Sequence, residues 1–176
     1  MFGVLFDKDV SCFIDGQELS GIDNAQISYA SSSLIFKPLG SDNGITTIAG
    51  PTKQNFSFSR YLIYDDPILD NVSGVSMAGS INYEGNAYGF QSGYLTDYSV
   101  NCAVGSVPKV NTSFFIADEL SEDNDASGVI AHPAVEIPSQ GSISVTCDNS
   151  TTNRVIGFDY SLKSENRIYH TIGSEN

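Results

Sequence analysis

Apolar and polar residues alternate along this chain with a period of two, and the alternation recurs throughout. In "VIGFDYSL" Ile156, Phe158, Tyr160 and Leu162 fall on one face. "NFSFSRYL" does the same with Phe56, Phe58 and Leu62, and "YSVNCAVG" with Tyr98, Val100, Cys102 and Val104. "SISVTC" adds Ile143, Val145 and Cys147. Successive side chains of a strand point to opposite faces, so this period reads as half-buried β-strands. Clusters of Gly, Asn, Asp and Ser separate the runs, as in "SGIDN", "GSDNG" and "CDNSTTN", and supply turns. "EGNAYG" between "SINY" and "FQSGYL" reads as a hairpin. Helical spacing is found only in short stretches, around 91–98 and 115–122. The expectation is a mainly β chain, a β-sandwich or barrel-like domain.

The 176 residues include 10 Phe and 9 Tyr and no Trp, which is enough for a packed core. Charged residues make up 16%, too few for a disordered acidic tail. The net charge of −13 argues against a nucleic-acid binder, which needs basic surface to neutralise phosphate. Cys12, Cys102 and Cys147 lie far apart without a CxxC spacing and read as free thiols of a reducing compartment. The opening "MFGVLFDKDV" carries acids and lacks the apolar run of a signal peptide. No apolar stretch approaches transmembrane-helix length, so no membrane partner is expected. The sequons at Asn55, Asn71, Asn111 and Asn149 carry little meaning without secretion.

Two Pro-bearing stretches organise the chain. "DDPILDNVSG" (65–74) reads as a loop after a strand. "EDNDASGVIAHPAVEIPSQG" (122–141) reads as a linker or extended arm. The expected division is a β domain over 1–120, a linker or arm over 121–138, and the start of a second similar β unit over 139–176. A repeat supports it. "IFKPLGSDN" (35–43) matches "IYHTIGSEN" (168–176) at Ile35/Ile168, Gly40/Gly173, Ser41/Ser174 and Asn43/Asn176. Gly followed by Ser, an acid and Asn is turn chemistry, so each copy reads as a strand leading into one kind of turn.

Signatures of catalysis are missing. The chain has no GxSxG, HExxH, GxxxxGK[ST] or GxGxxG, and its two histidines, His132 and His170, read as loop residues. Asp118, Glu119, Glu122, Asp123 and Asp125 form an acidic run, but its spacing departs from a calcium loop, and a solvated loop is the simpler reading. Asp65 and Asp66 in "YDDP" are adjacent and point apart, which disfavours a shared acid–base site; Asp66 reads as a turn former. No enzyme activity, cofactor or metal is expected.

The chain resembles the tail tube proteins of long-tailed bacteriophages and related tail proteins. The resemblance rests on "FDYSLKSENRIYHTIGSEN" with its echo at 27–43, on "QNFSFSRYLIYDDPIL" (54–69) and on "GYLTDYSVNCAVGSVPKVNTSFFI" (93–116), where "YSVNCAVGSVPKVNTSF" looks like a strand–Gly–strand hairpin. "IPSQGSISV" (137–145) looks like the opening of a second tube-type domain. These motifs span most of 20–176 and consist of aromatic alternation and turns. The resemblance implies a structural virion protein, made in the host bacterial cytoplasm. It would self-associate into trimeric or hexameric rings and stack, with other tail proteins, into a tube that DNA traverses without specific binding. It places the inter-subunit or stacking loops at Gly40, Ser41, Asp42, Asn43, Asp65, Asp66, Gly173, Ser174, Glu175 and Asn176. An acidic channel wall would repel DNA phosphates. The second copy stops after its loop; either the polypeptide continues, or its last strands complete a neighbouring subunit. The alternative function is a β-sandwich receptor- or glycan-binding module of a virion or cell surface.

Overall fold

The computed structural model describes residues 10–36, 46–63, 66–69, 74–83, 86–122, 124, 126, 128, 139 and 142–164; at 32, 34–36 and 46–51 only the backbone is described. Ten strands run in chain order: β1 (Val10–Ile14), β2 (Gln17–Glu18), β3 (Ile22–Phe36), β4 (Thr46–Tyr61), β5 (Met77–Tyr83), β6 (Asn86–Ala103), β7 (Lys109–Ile116), β8 (Val145–Cys147), β9 (Ser150–Thr152) and β10 (Gly157–Lys163). The main sheet has the order β2-β1-β5-β6-β7-β4-β3 with β10 added on β6, and every pairing in it is antiparallel. No α-helix occurs among the described residues.

The order of strands forces the sheet to curl. β2 and β3 stand at opposite ends of the path. Laid flat, seven strands would hold them roughly 29 Å apart. Residues 19–21, which join them, reach at most about 14 Å. The sheet therefore wraps round until its ends approach, which gives the barrel-like form expected from the alternation. Tight turns help. Asp15 (φ 48°) and Gly16 (φ 76°) join β1 to β2 in the left-handed conformation that matches strand twist.

Aromatic side chains from three strands fill the concave side. Phe56 and Phe58 of β4, Phe90 of β6 and Phe114 of β7 are buried, with ring centroids 5.3–6.4 Å apart. Burying each such ring contributes about 1.5–3 kcal/mol. Phe90 lies over the backbone of its own strand; a Cβ at Gly93 would come within 2.3 Å of its ring, so no larger residue fits there.

β6 has three neighbours. β7 runs along one edge, pairing with residues 93–101. The opposite edge is divided: β5 pairs with 86–93, and β10 takes over at 97–103. A register shift between Leu95 and Asp97 marks the place where the edge changes hands. Thus the longest strand of segment 139–164 joins the sheet built by 10–116, while β8 and β9 form a separate ribbon.

Three local expectations are corrected. Residues 91–98 lie inside β6, because strands on both of its edges supply a complete ladder. Residues 115–122 are not helical either: Phe115 and Ile116 end β7, and beyond it the Asp118 carboxylate accepts from the Gln91 and Ser92 N–H groups at 2.7 and 3.1 Å. The acidic run is then drawn onto the sheet. Ser121 bridges to Gly89, and Ala126 N–H donates to Ser80 Oγ at 3.2 Å. A Cβ at Gly89 would lie 1.7 Å from the Asn124 carbonyl oxygen, so this strap rests directly on the backbone of β6. In "SISVTC" only β8 forms, and all three of its residues are exposed, because the two-stranded ribbon has no facing layer. Ile143 alone of that run is buried.

Candidate assembly surface

Three strands of the sheet pair on one side only among the described residues: β2, of two residues, and the longer β3 and β10, which make two unlike long open edges. Among the described residues, β3 pairs only with β4, and β10 pairs only with β6. Each presents a row of backbone donors and acceptors on its far side, a template for another strand. β10, like β3, has no buried residue among those described. Phe158 and Tyr160 are 42% and 45% exposed, although their cross-strand partners Cys102 and Val100 are buried. The half-buried strand expected from "VIGFDYSL" is thus an exposed one, with Ile156 exposed just before it, because no other layer covers its inner side.

β3 and β4 form a hairpin longer than the sheet they belong to. β7 pairs with β4 from Gln54 to Tyr61 only. Beyond it, Ala30 to Phe36 and Lys53 to Thr46 continue as a two-stranded arm, with a register shift between Ser31 and Ser33. At about 3.3 Å per residue the eight residues of β4 in the arm extend on the order of 26 Å.

The outer face of β3, β4, β7, β6 and β10 is polar in cross-strand rows. One row runs Gln26, Ser57, Ser113, Asp97, Lys163. The next runs Asn24, Ser59, Asn111, Ser99, Ser161, and the third Tyr61, Lys109, Asn101, Asp159. The charges in and beside these three rows are matched, while Lys53, on the same side of β4 in the arm, is exposed without an ion pair among the described residues. Lys109 Nζ lies 2.6 Å from Asp23 Oδ2, and Lys163 Nζ 3.7 Å from Asp97 Oδ2. Asp159 accepts a hydrogen bond from the Asn101 side-chain amide. The hydrogen bond from Lys109, with its charge, holds the Asp23 carboxyl below its usual range, and Asp23 raises Lys109 in return.

Of the ten expected loop residues, the structure describes one. Gly40, Ser41, Asp42 and Asn43, Asp65, and Gly173, Ser174, Glu175 and Asn176 lie outside the described residues. Asp66 turns the chain as read: its Oδ1 accepts from Ile68 N–H at 3.1 Å and its carbonyl from Leu69 N–H at 3.2 Å. Its side chain points into the core. Oδ1 lies 2.8 Å from Arg60 Nη2, with both side chains almost fully buried, and Oδ2 accepts from Tyr98 Oη at 2.6 Å. The Arg60 contact is ionic rather than a directed hydrogen bond, since Nε and Nη2 have no hydrogen-bond partner. Burial first, then the bond to Asp66, raises the Tyr98 phenol far above its usual range, so Tyr98 stays a donor. Ile68 beside it is fully buried. The loop after β4 is therefore pinned at one ionic and one apolar point.

No group of three or more His, Cys, Asp or Glu side chains suited to a metal occurs among the described residues. No family model matches the chain, and no curated protein matches its sequence. Solved structures do resemble it. A chain of the virion of a native gene transfer agent particle superposes with a TM-score of 0.52 at 12% identity, covering 67% of this chain and 98% of that one. The two share a fold. A chain of the anti-feeding prophage baseplate, from a six-fold symmetrised reconstruction, aligns with a TM-score of 0.44 at 9% identity, covering 62% and 87%.

Proposed function

We propose that this protein is a structural subunit of a phage-type tail, assembling into closed rings that stack into a tube through which DNA passes. The observation that carries the reading is the pair of unlike open edges, β3 and β10, on one curled sheet. Two different complementary surfaces make a head-to-tail contact, and head-to-tail contacts close into rings when the rotation permits. Strand addition at such edges gives affinity through main-chain hydrogen bonds and covers both long edges. The arm of β3 and β4 suits contact with the next ring; Gly40, Ser41, Asp42 and Asn43, which lie between its two strands in the sequence, are the stacking residues in this reading. The fold shared with a gene transfer agent virion chain supports a place in a virion tail.

The test is assembly of the full chain. Sedimentation velocity across a concentration series, with negative-stain microscopy, should give a discrete oligomer and rings or tubes of uniform width. A monodisperse monomer at every concentration would sink the reading. A monomer that binds oligosaccharides on a glycan array would establish the receptor-binding alternative instead.

A further inference from the structure

β10 is held by a single neighbour. It pairs only with β6, over 97–103, and its side-chain contacts run to the same strand: Asp159 to the Asn101 amide, Lys163 to Asp97, and the Tyr160 ring edge-on to Tyr98. Leu162 packs against the core cluster, and no residue of the strand is buried. The place it fills is closed at both ends. Val104 N–H donates to the Ile156 carbonyl and Ser164 N–H to the Thr96 carbonyl, each at 2.9 Å, and β5 holds the same edge of β6 from Gly93 onward. This is a slot of fixed register that residues 157–163 of any copy fit.

The connection to β10 makes few attachments among its described residues. It leaves the strap at Gly128, which lies against the Gly16 carbonyl at the β1–β2 turn. From there to Gly157 only Ile143 is buried among the described residues, outside the core cluster, and the hydrogen bonds stay local: Ser139 with Ser142, Thr146 with Thr151, Arg154 with Thr152. Asp15 beside that turn binds Ala78 N–H, and Gly79 stands opposite Phe90. The chain must therefore travel from the level of Phe90 to that of Ala103, about 43 Å along β6. Residues 129–144 and 153–156, with the ribbon folded back between them, reach about 66 Å. At the level of β10 the sheet runs five strands across, in the row Asn24, Ser59, Asn111, Ser99, Ser161. In a ring joined at β3 and β10 the same slot recurs on the next copy about 24 Å away, and the two displacements combine to roughly 49 Å. The same tether spans that distance.

We propose that β10 is exchanged between subunits: in the ring, each copy's β10 fills the 97–103 edge of the next copy's β6. The proposal rests on the ring assembly above and goes beyond it, because contact between edges alone leaves every strand in the sheet of its own chain. Filled from within, the slot links nothing. Filled from the next copy, its whole ladder and the Lys163–Asp97 ion pair bridge two subunits. The contacts themselves are identical in the two cases. Closure within one chain must tie off the loop 104–156, and the cost of closure grows with loop length, so a neighbour's slot held at fixed distance competes on near-equal terms.

A disulfide across the ladder tests it. Asp159 and Asn101 stand directly opposite, in a pair that exchanges no main-chain hydrogen bond; there the Cα atoms come about 4.5 Å apart and a disulfide can close. Both are exposed, so each tolerates cysteine. In a Cys147→Ser background, which removes the exposed thiol, chains with Asn101→Cys and chains with Asp159→Cys are mixed in denaturant, refolded together, assembled and oxidised. On a non-reducing denaturing gel about half of the chains should run as covalent dimers, as random neighbours in a head-to-tail ring require. Each variant assembled alone should give none. A chain carrying both cysteines should give a ladder of covalent multimers that ends at the ring number. Assembled double variants that run as monomers, with or without an internal disulfide, would overturn the proposal. So would either single variant dimerising alone as strongly as the mixture. If no ring or tube forms, the proposed function itself fails and this proposal falls with it.

Discussion

Replacing Asp66 with alanine removes one carboxylate from three partners at once. Arg60 is left buried without a counter-ion, Tyr98 loses the acceptor of its phenol, and the Ile68 N–H loses its cap. Breaking a buried ion pair by removing one partner costs about 3–5 kcal/mol. An unsatisfied buried hydroxyl costs about 1–3 kcal/mol. These losses share one carboxylate and do not add. A total near 4 kcal/mol is expected, against a stability of about 5–15 kcal/mol for a whole domain. With a urea dependence of about 2 kcal/mol per molar, the midpoint should fall by about 2 M. Melting should drop by about 8–16 °C for a chain of this size. The double variant Arg60→Met with Asp66→Leu should recover most of the loss, since an apolar pair of similar volume replaces a buried ion pair at little cost. A midpoint shift below about 0.5 M for Asp66→Ala would refute the reasoning. So would a double variant no more stable than the single one, because the loss would then not come from a stranded guanidinium.

Two further outcomes follow from the packing. Burial, with the Glu18 charge adding to it, pushes the Cys12 thiol up from 9.0 to about 12, and burial raises Cys102 as well. A chromogenic disulfide at pH 8 should therefore titrate one thiol, Cys147, in the folded chain and three in denaturant. Because the folded thiol has the raised pKa, its contribution to stability is complete below pH 9 and is lost as pH climbs toward 12. Gly89→Val puts branched carbon where the Asn124 carbonyl already sits, so the strap must lift while the Phe cluster stays intact. Hydrogen exchange should speed up over 117–128, with little change at β4 and β7; unchanged exchange there would contradict the close packing of strap on β6.

Much of the sheet was legible because one face of each strand is apolar. The runs holding Phe56 and Phe58, and Tyr98, Val100 and Cys102, are buried as the alternation requires. Arg60 escaped notice, although it stands in phase with Phe56 and Phe58 and is 1% exposed. A charge in phase with an apolar face signals a buried partner, but Asp66 is reached through a loop that period-two reading does not describe. The fate of β10 was hidden for a different reason. Its alternation announces a strand, yet pattern within a strand says nothing of which distant edge accepts it; the free half of the β6 edge decides that. The polar rows were hidden too, because Ser57, Ser113 and Ser99 share a row or a neighbourhood only once the strands are in register. The Asp15-Gly16 pair, by contrast, was a readable hairpin signal in "FIDGQE".

The divided edge of β6 also bears on the order of events in time. Hairpins β3–β4, β5–β6 and β6–β7 join strands that are neighbours in the chain and can close early. β1 must wait for β5, β4 for β7, and β10 for β6, each far along the polypeptide. Such long closures make folding slow. β10 is made after the other nine described strands and adds little buried surface, so its place on β6 is expected to fill only after they are set. Until then the subunit keeps a vacant edge along 97–103. The vacancy sets a clock: a chain still lacking β10 is immature at one of its two long edges, the ones through which the proposed ring would close.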